Sequence, residues 1–575
     1  MKKLLIIIFM LCLMVNIFAG DAFIIPLNSS LYDVIDTLYL LEGKALPESS
    51  RPWSKAQAEK NLKYIGKTLS EENIDLYNSA LSILEKEDAR WHFDDGTSFG
   101  VSMDVFPEMY IHSNTEEFVS EEHWAYNFDD RNLFANLKME FGIDDFFYTY
   151  CELSYNVDRY GNSTPEFYTD QELESGVGVL IPGIGVESIT GSNDDYQVMN
   201  IVKSADLYKD KINFNIPKHS IYMDYQTPKR AFITFAGDKW SFMFGRDKLN
   251  WGNSNVGNFV VDSHIDFHEM TRVQVFSDYF TYEWTNLFLD TNRSVYENDR
   301  YYHIFMLHRL DFRPFEKVTF GISENLMYKS KILNFGNFNP GFIYHNLSFR
   351  DIFNAIAVAE LNITPIKGLN IYGQFALDQA KAPNEAVGQS DANAIMAGVE
   401  YAHRLGNGYL TENVEFIQTS PLLYRRDKVD FLASHHTDNH GATKVYYIGF
   451  PYGGDSRVLN FSVSYNIPEV FKTKLNLELL EKGKMNVLHP HNDAGNNNEY
   501  ANLLDNKTPS GNIINQYLTL TLSAEYFVPK FVDFIDASIE TNLAYVAARK
   551  YNKTTKEYTE QKDDIQFALA LKITF

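Results

Sequence analysis

The chain closes on Ile565-Gln-Phe-Ala-Leu-Ala-Leu-Lys-Ile-Thr-Phe575, and this stretch decides the fold. Ile565, Phe567, Leu569, Leu571, Ile573 and Phe575 recur at every second residue, with Gln566, Ala568, Ala570, Lys572 and Thr574 between them. Successive side chains of a strand point to opposite faces, so one face here is wholly apolar and the other small or polar. An edge strand of a soluble sheet carries the same alternation, so the rest of the chain has to decide between the two settings.

The two-residue period recurs upstream, as in Leu459, Phe461, Val463 and Tyr465 against Asn460, Ser462 and Ser464. Leu475, Leu477 and Leu479 alternate with Lys474, Asn476 and Glu478, and Leu518, Leu520, Leu522, Ala524 and Tyr526 with Thr519, Thr521, Ser523 and Glu525. Ile539, Thr541, Leu543 and Tyr545 alternate with Ser538, Glu540 and Asn542. Connections alternate too. Tight links fall at 142–145, 237–238, 277–279, 313–315, 364–368, 404–408, 467–471 and 528–536, with one longer polar stretch such as 425–455 or 485–512 between neighbours. Short turns on one side and long loops on the other are the rhythm of a bacterial outer-membrane barrel, and counting this way gives about 18 strands, an even number. The stretch 158–229 is too long to read and has room for two more strands or an inward-folded plug. Phe575 as the last residue resembles the assembly signal of such barrels.

The other end is an export signal. Lys2 and Lys3 precede an apolar run from Leu4 to Phe18 and the small residues Ala19, Gly20 and Ala22, the order of a cleavable signal peptide. The run is shorter than the roughly 20 residues of a spanning helix. Cys12 follows the bulky Leu11 inside this run, so lipidation is rejected, and its removal leaves Cys151 without a partner. Mean hydropathy of -0.28 with 45% hydrophobic residues suits strands that alternate lipid-facing and lumen-facing residues. The 43 Phe, 36 Tyr and 6 Trp suit the interfacial girdles of a barrel. A net charge of -25 disfavours a nucleic-acid partner, which needs a basic footprint.

Between Asn28 and Arg90 the period is helical. Leu31, Ile35, Leu38 and Leu41 share a face that Gly43 closes, and Ser54 with Gln57 reads as a capping box ahead of Ala58, Leu62, Ile65 and Leu69. Ile74, Tyr77, Leu81 and Leu84 are expected on the buried face of a third helix. The organisation is therefore a signal peptide (1–22), a periplasmic helical segment (23–95) and an outer-membrane barrel (96–575). The fold class is an all-β transmembrane barrel of antiparallel strands with a small N-terminal α-helical bundle.

Enzyme signatures, phosphate-cradling glycine loops and zinc-spaced cysteines are absent, so neither catalysis nor a cofactor is expected. His435, His436, Asp438 and His440, and likewise His489, His491 and Asp493, lie in loops rich in Asn, Asp and Gly and are read as solvated rather than metal-binding. The expected lumen carries both signs: Lys138, Glu140, Glu152, Glu283, Arg309, Asp311, Lys317, Asp378, Glu415, Lys474, Glu478, Glu525, Glu540 and Lys572. Mixed charge can pair and plug a barrel, whereas segregated charge favours a selective pore, and the sequence leaves both open. A carboxylate pair for glycoside hydrolysis needs a separation of about 5 to 9.5 Å, which a sequence cannot show.

Phe244-Gly-Arg-Asp-Lys-Leu-Asn-Trp-Gly-Asn253 resembles the Wzi-like capsule-assembly family. So, in order, do His308-Arg-Leu, Asn339-Pro near His345, Leu369-Asn-Ile-Tyr-Gly-Gln374 followed by Asp378, and Gly449-Phe-Pro-Tyr-Gly-Gly-Asp-Ser456. The resemblance implies an 18-stranded outer-membrane barrel over a small periplasmic helical bundle. It also implies a non-catalytic lectin that holds capsular or other surface polysaccharide, with a general diffusion porin as the alternative. Candidate glycan contacts are Trp251, Asn339, His345, Asp378 and Tyr424, the aromatic ones read as ring faces near outer strand ends. Membrane-interface anchoring is the competing reading of each aromatic. Parity puts Arg246 on the outward face with Trp240, Phe242 and Phe244. Outer-membrane lipids and the barrel-assembly machinery are the remaining expected partners.

Overall fold

The computed structural model describes residues 21–88, 90–118, 124–126, 131–155, 165–167, 202–205, 209–216, 223–224, 228–289, 302–330, 333, 340–341, 352–379, 391–425, 429–436, 443–485, 507–529 and 535–575. Eighteen antiparallel strands close into a barrel. The first is in two pieces, Thr97–Val105 and Glu108–His112 (β1), broken at Pro107, whose ring cannot donate to a ladder. It is followed by Ala135–Ile143 (β2), Phe147–Tyr155 (β3), Ala231–Gly237 (β4), Trp240–Asp247 (β5), His268–Phe276 (β6) and Phe280–Phe288 (β7). Next come Tyr302–Phe315 (β8), Val318–Ser330 (β9), Ile352–Ile366 (β10), Leu369–Gln379 (β11), Ala392–Leu405 (β12) and Gly408–Thr419 (β13). Ser456–Ile467 (β14), Phe471–Lys482 (β15), Ile513–Val528 (β16), Asp536–Asn552 (β17) and Glu557–Thr574 (β18) complete the wall. β18 returns to β1, with Gln566 opposite His112 and Thr574 opposite Asp104, so among the described residues every strand of the wall pairs on both sides.

The alternation read from sequence holds. Ile565, Leu569, Leu571 and Phe575 stand exposed on the outer surface while Gln566, Ala568 and Ala570 are buried. Phe575 is held in register by paired backbone hydrogen bonds with Met103. Tight turns join β6 to β7, at Ser277–Tyr279, β8 to β9, β10 to β11, β12 to β13 and β14 to β15 at the same end of the barrel.

Three helices, Leu31–Leu41 (α1), Lys55–Gly66 (α2) and Ile74–Glu87 (α3), lie against that tight-turn end. Gly43 ends α1 at a positive φ of 71°, and Ser54 caps α2 by accepting from Gln57 N at 3.3 Å. The box is half made, because the Gln57 side chain turns to Glu48 at 2.8 Å. On α3 the expected stripe is rotated by about one position. Leu76, Ala80, Ile83 and Leu84 are buried, whereas Ile74 and Leu81 are exposed. Both stripes have the 3.6-residue period, and packing against α1 selects the one containing the small Ala80. Ion pairs fasten the helices to the turns: Lys67 to Asp278 at 3.0 Å, Lys86 to Glu469, Arg404 to Asp75, and Lys472 to Asp33 at 2.5 Å.

Candidate functional site

The helical segment does not stay beneath the barrel as expected for all of 23–95. Between α1 and α2 the chain leaves the turns, where Ala45 N donates to Glu316 O at 2.9 Å, and rises into the lumen. There Ser50–Arg51 pairs antiparallel with Asn250–Trp251, which descend from the connection between β5 and β6. The second inward segment runs from Leu249 to Ile265, and a third, from the β13–β14 connection, buries Leu423, Tyr424, Phe431, Leu432, Ile448 and Phe450. Gly252 explains why Trp-Gly stands at this meeting point. Its φ is 129°, and a Cβ there would lie 2.0 Å from Asn258 Oδ1 and 2.1 Å from Gln374 Nε2.

Two buried ion-pair nodes hold the strap. At the first, Glu283 accepts from Arg272 Nε at 2.7 Å and Nη2 at 2.9 Å, from Gln274 at 2.9 Å, from Thr285 at 2.9 Å and from Trp251 Nε1 at 3.1 Å. Arg272 Nη1 also donates to Pro52 O at 2.5 Å, joining the wall to the strap. At the second, Arg309 forks onto Asp311 at 2.8 and 2.7 Å, donates to Ser49 Oγ at 2.6 Å and lies 3.2 Å from Glu360. Ser49 Oγ donates onward to Glu360 at 2.6 Å. A buried charge is tolerated only when paired and hydrogen-bonded, and here the pairing spans wall and plug.

The outer-loop segments are anchored in the same way. Glu415 accepts from Ser254 Oγ at 2.6 Å, Tyr372 Oη at 2.7 Å and Asn255 N at 3.2 Å. Gln374 Nε2 donates to Asn258 Oδ1 at 2.9 Å, and Asn258 Nδ2 to Asp262 at 2.9 Å. Tyr424 Oη donates to Phe259 O at 2.7 Å and accepts from Phe450 N at 3.0 Å, tying the second inward segment to the third. Asp378 accepts from Tyr424 N at 2.7 Å, which holds Tyr424 at its positive φ of 71°. Higher up, buried Asp455 accepts from Ser510 N at 2.7 Å and Met485 N at 3.1 Å. Arg272–Glu283 and Arg309–Asp311–Glu360 are thus paired inside the barrel, and segments of the chain itself enter the lumen.

Trp251 and Tyr424 need correction as exposed stacking faces: each is 1% exposed, because their segments fold into the barrel instead of flaring at the rim. Asp378 is half-buried and engaged with the Tyr424 backbone. Asn339 and His345 lie outside the described residues, as do Asp438, His440, His489, His491 and Asp493. His435 stacks on Phe267 with ring centroids 4.2 Å apart. No cluster suited to a metal occurs among the described residues. Lys317 sits in the β8–β9 turn, its Nζ donating to Pro365 O, and not in the lumen. Arg246 pairs in register with Glu269 and also contacts it as an ion pair on the outward face, as parity requires. Sequence reading found Glu283, Arg309, Asp311 and Glu415, marked Tyr372 and Gln374 only as part of a family motif, and missed Arg272, Glu360 and Ser49. Arg272 and Gln274 share inward parity with His268 and Met270, so the signal was present for them. Ser49, in a loop before α2, carried none.

Fold and site define an outer-membrane β-barrel whose lumen is entered from both ends by segments of its own chain. The model of the capsule assembly protein Wzi family matches residues 129–528, and the chain belongs to that family. The Escherichia coli outer-membrane protein Wzi, described as a carbohydrate-binding β-barrel involved in group 1 capsule assembly, is similar in structure, with a TM-score of 0.53 and 12% identity over 96% of this chain and 99% of that one. The Pseudomonas aeruginosa protein OccD3 is similar with a TM-score of 0.42 and 9% identity over 85% of this chain and 93% of that one. No curated protein matches the chain by sequence. The protein resides in the bacterial outer membrane.

Proposed function

We propose that this barrel holds surface or capsular polysaccharide at its outer face, without catalysis and without passing bulk solute. The observation that carries the reading is membership of a family of capsule-assembly barrels, realised here with inward segments tied to the wall by buried ion pairs. A diffusion porin needs an open constriction with biased charge, and the inward segments 45–54, 249–265 and 421–450, tied to the wall by buried ion pairs of both signs, support the lectin reading over it. The description of Escherichia coli Wzi as carbohydrate-binding supports the ligand class. Sugar contact then falls to the outer loops, with Asn339 and His345 as proposed contact positions. Trp251, Asp378 and Tyr424 act one step behind, by fixing the loops that form the cap. The helices face the periplasm, and surrounding lipid and the barrel-assembly machinery are the other partners. The test pairs planar-bilayer conductance of purified protein with glycan-array binding. A closed barrel that retains polysaccharide, and loses it in Trp251→Ala or Asp378→Ala, supports the proposal. Large stable conductance without glycan retention overturns it and promotes the porin.

A further inference from the structure

A cavity of about 540 Å³ opens on the outside wall at the long-loop end, within the roughly 300–1,000 Å³ of small-ligand pockets. It is lined by Gln418, Arg457, Glu481, Gln516, Tyr551, Lys553 and the segment Lys507–Pro509. Register fixes where it lies. Gln418, Arg457, Glu481, Gln516 and Arg549 form one cross-strand row over β13 to β17. Two residues further into the barrel wall, or about 7 Å, the next row of the same face is Phe416, Leu459, Leu479, Leu518 and Ala547. Phe416, Leu459 and Leu479 are exposed on the outer surface, as lipid-facing residues must be. The cavity therefore faces sideways, immediately above the acyl chains, where membrane headgroups lie.

Its charge is unusual for a chain of net -25. Three cations face one carboxylate. Arg457 is already engaged, with Glu481 at 3.1 Å, Thr508 O at 2.5 Å and Gln418 at 3.4 Å, and it braces the wall. Glu481 also accepts from Gln516 at 2.8 Å. Lys553 spends one donor on Pro509 O at 2.5 Å, and exposed Lys507 makes no ion pair among the described residues. Two ammonium groups beside amide and phenol groups make a receptor for a negatively charged sugar, the Thr508 hydroxyl being turned inward onto Thr419 O at 2.6 Å.

We infer that this cavity binds the phosphorylated sugar headgroup of an outer-leaflet glycolipid, with its acyl chains lying along Phe416, Leu459 and Leu479. Lys507 and Lys553 hold the phosphate, and Gln418, Gln516 and Tyr551 meet the sugar. An acidic polysaccharide offers similar chemistry from solution, but it has no acyl chains to match the apolar row directly below.

Native mass spectrometry tests this on full-length protein exchanged from detergent into phosphatidylcholine vesicles doped with lipid A or with dephosphorylated lipid A. Folding is checked by heat-modifiable gel migration. Wild-type protein and Lys507→Arg/Lys553→Arg retain lipid A, and Lys507→Glu/Lys553→Glu retains it at least about tenfold less, since each lysine near an anionic surface contributes appreciably. Dephosphorylated lipid A is retained weakly by all three. Equal retention by the wild type and the charge-reversed protein, or equal retention of both lipids, overturns the proposal. Displacement of lipid A by a soluble oligoguluronate overturns the lipid assignment and makes the cavity a polysaccharide site.

Discussion

Replacing Glu283 by Ala tests whether paired charge keeps the lumen shut. The substitution removes the acceptor of five hydrogen-bond contacts and leaves the Arg272 guanidinium buried with Pro52 O as its remaining partner on the strap. Breaking one half of a buried pair costs about 3–5 kcal/mol. Orphaning Gln274, Thr285 and the Trp251 indole adds to this, but not additively, so about 4 kcal/mol is expected. The loss falls on the contact between wall and plug, so the plug loosens before the wall does. Urea unfolding in detergent micelles, followed by tryptophan fluorescence, measures the first effect, and planar-bilayer conductance the second. Arg272→Met/Glu283→Met, which removes both charges, is expected to recover most of the stability. Trp251→Phe, which removes one donor, is expected to cost about 1 kcal/mol plus the lost ring volume. If Glu283→Ala unfolds within about 1 kcal/mol of the wild type and conducts no more current, the ion pair does not hold the plug.

Deleting Phe575 should reduce membrane insertion while leaving export intact, because Phe575 ends a lipid-facing strand and pairs with Met103; unchanged surface levels would refute its role. Asp378→Ala should make 420–455 more sensitive to protease by removing the 2.7 Å bond that holds Tyr424, a local loss of about 1–3 kcal/mol. Burial alone would raise the Asp88 pKa, but Arg90 and Lys55 hold it below the ordinary carboxylate value. Its stabilisation is therefore complete above that ordinary value of about 3.9 and lost as pH falls through the depressed one, so Asp88→Asn should be less stable than wild type near neutrality and converge with it in acid. With Cys151 changed to Ser, a cysteine at Lys86 should resist impermeant reagents on intact cells and one at Thr555, in the β17–β18 turn, should label. Ser50 is no use as such a probe, being wholly buried in the lumen.

The wall was legible because a half-lipid, half-lumen strand writes its two faces into adjacent residues. Leu459 and Asn460, or Leu569 and Ala570, declare their sides without reference to anything distant. The plug was not legible, because its partners are joined by no period. Ser49 meets Glu360 across 311 residues, and Trp251 meets Glu283 only once the connection between β5 and β6 has folded inward. Trp251 and Tyr424 illustrate the limit: an aromatic in a loop reads the same whether the loop flares outward or dives. The family motifs did mark the right places. Trp251-Gly252, Arg309, Tyr372, Gln374 and Phe450 all converge on the plug, which their spacing in sequence did not reveal. The α3 stripe failed for a smaller reason, since two registers of the same period fit the sequence and contact with α1 chose between them.

The pairing of Ser50–Arg51 with Asn250–Trp251 also sets an order of events. The strap is made early, yet its partner arrives only after five strands have been laid down, and Arg309, Asp311 and Glu360 later still. Bringing such distant segments together requires the intervening chain to be ordered first. The contacts between the strap and the wall are therefore a property of the finished molecule alone, and a barrel halted part-way through assembly would stand in the membrane without them.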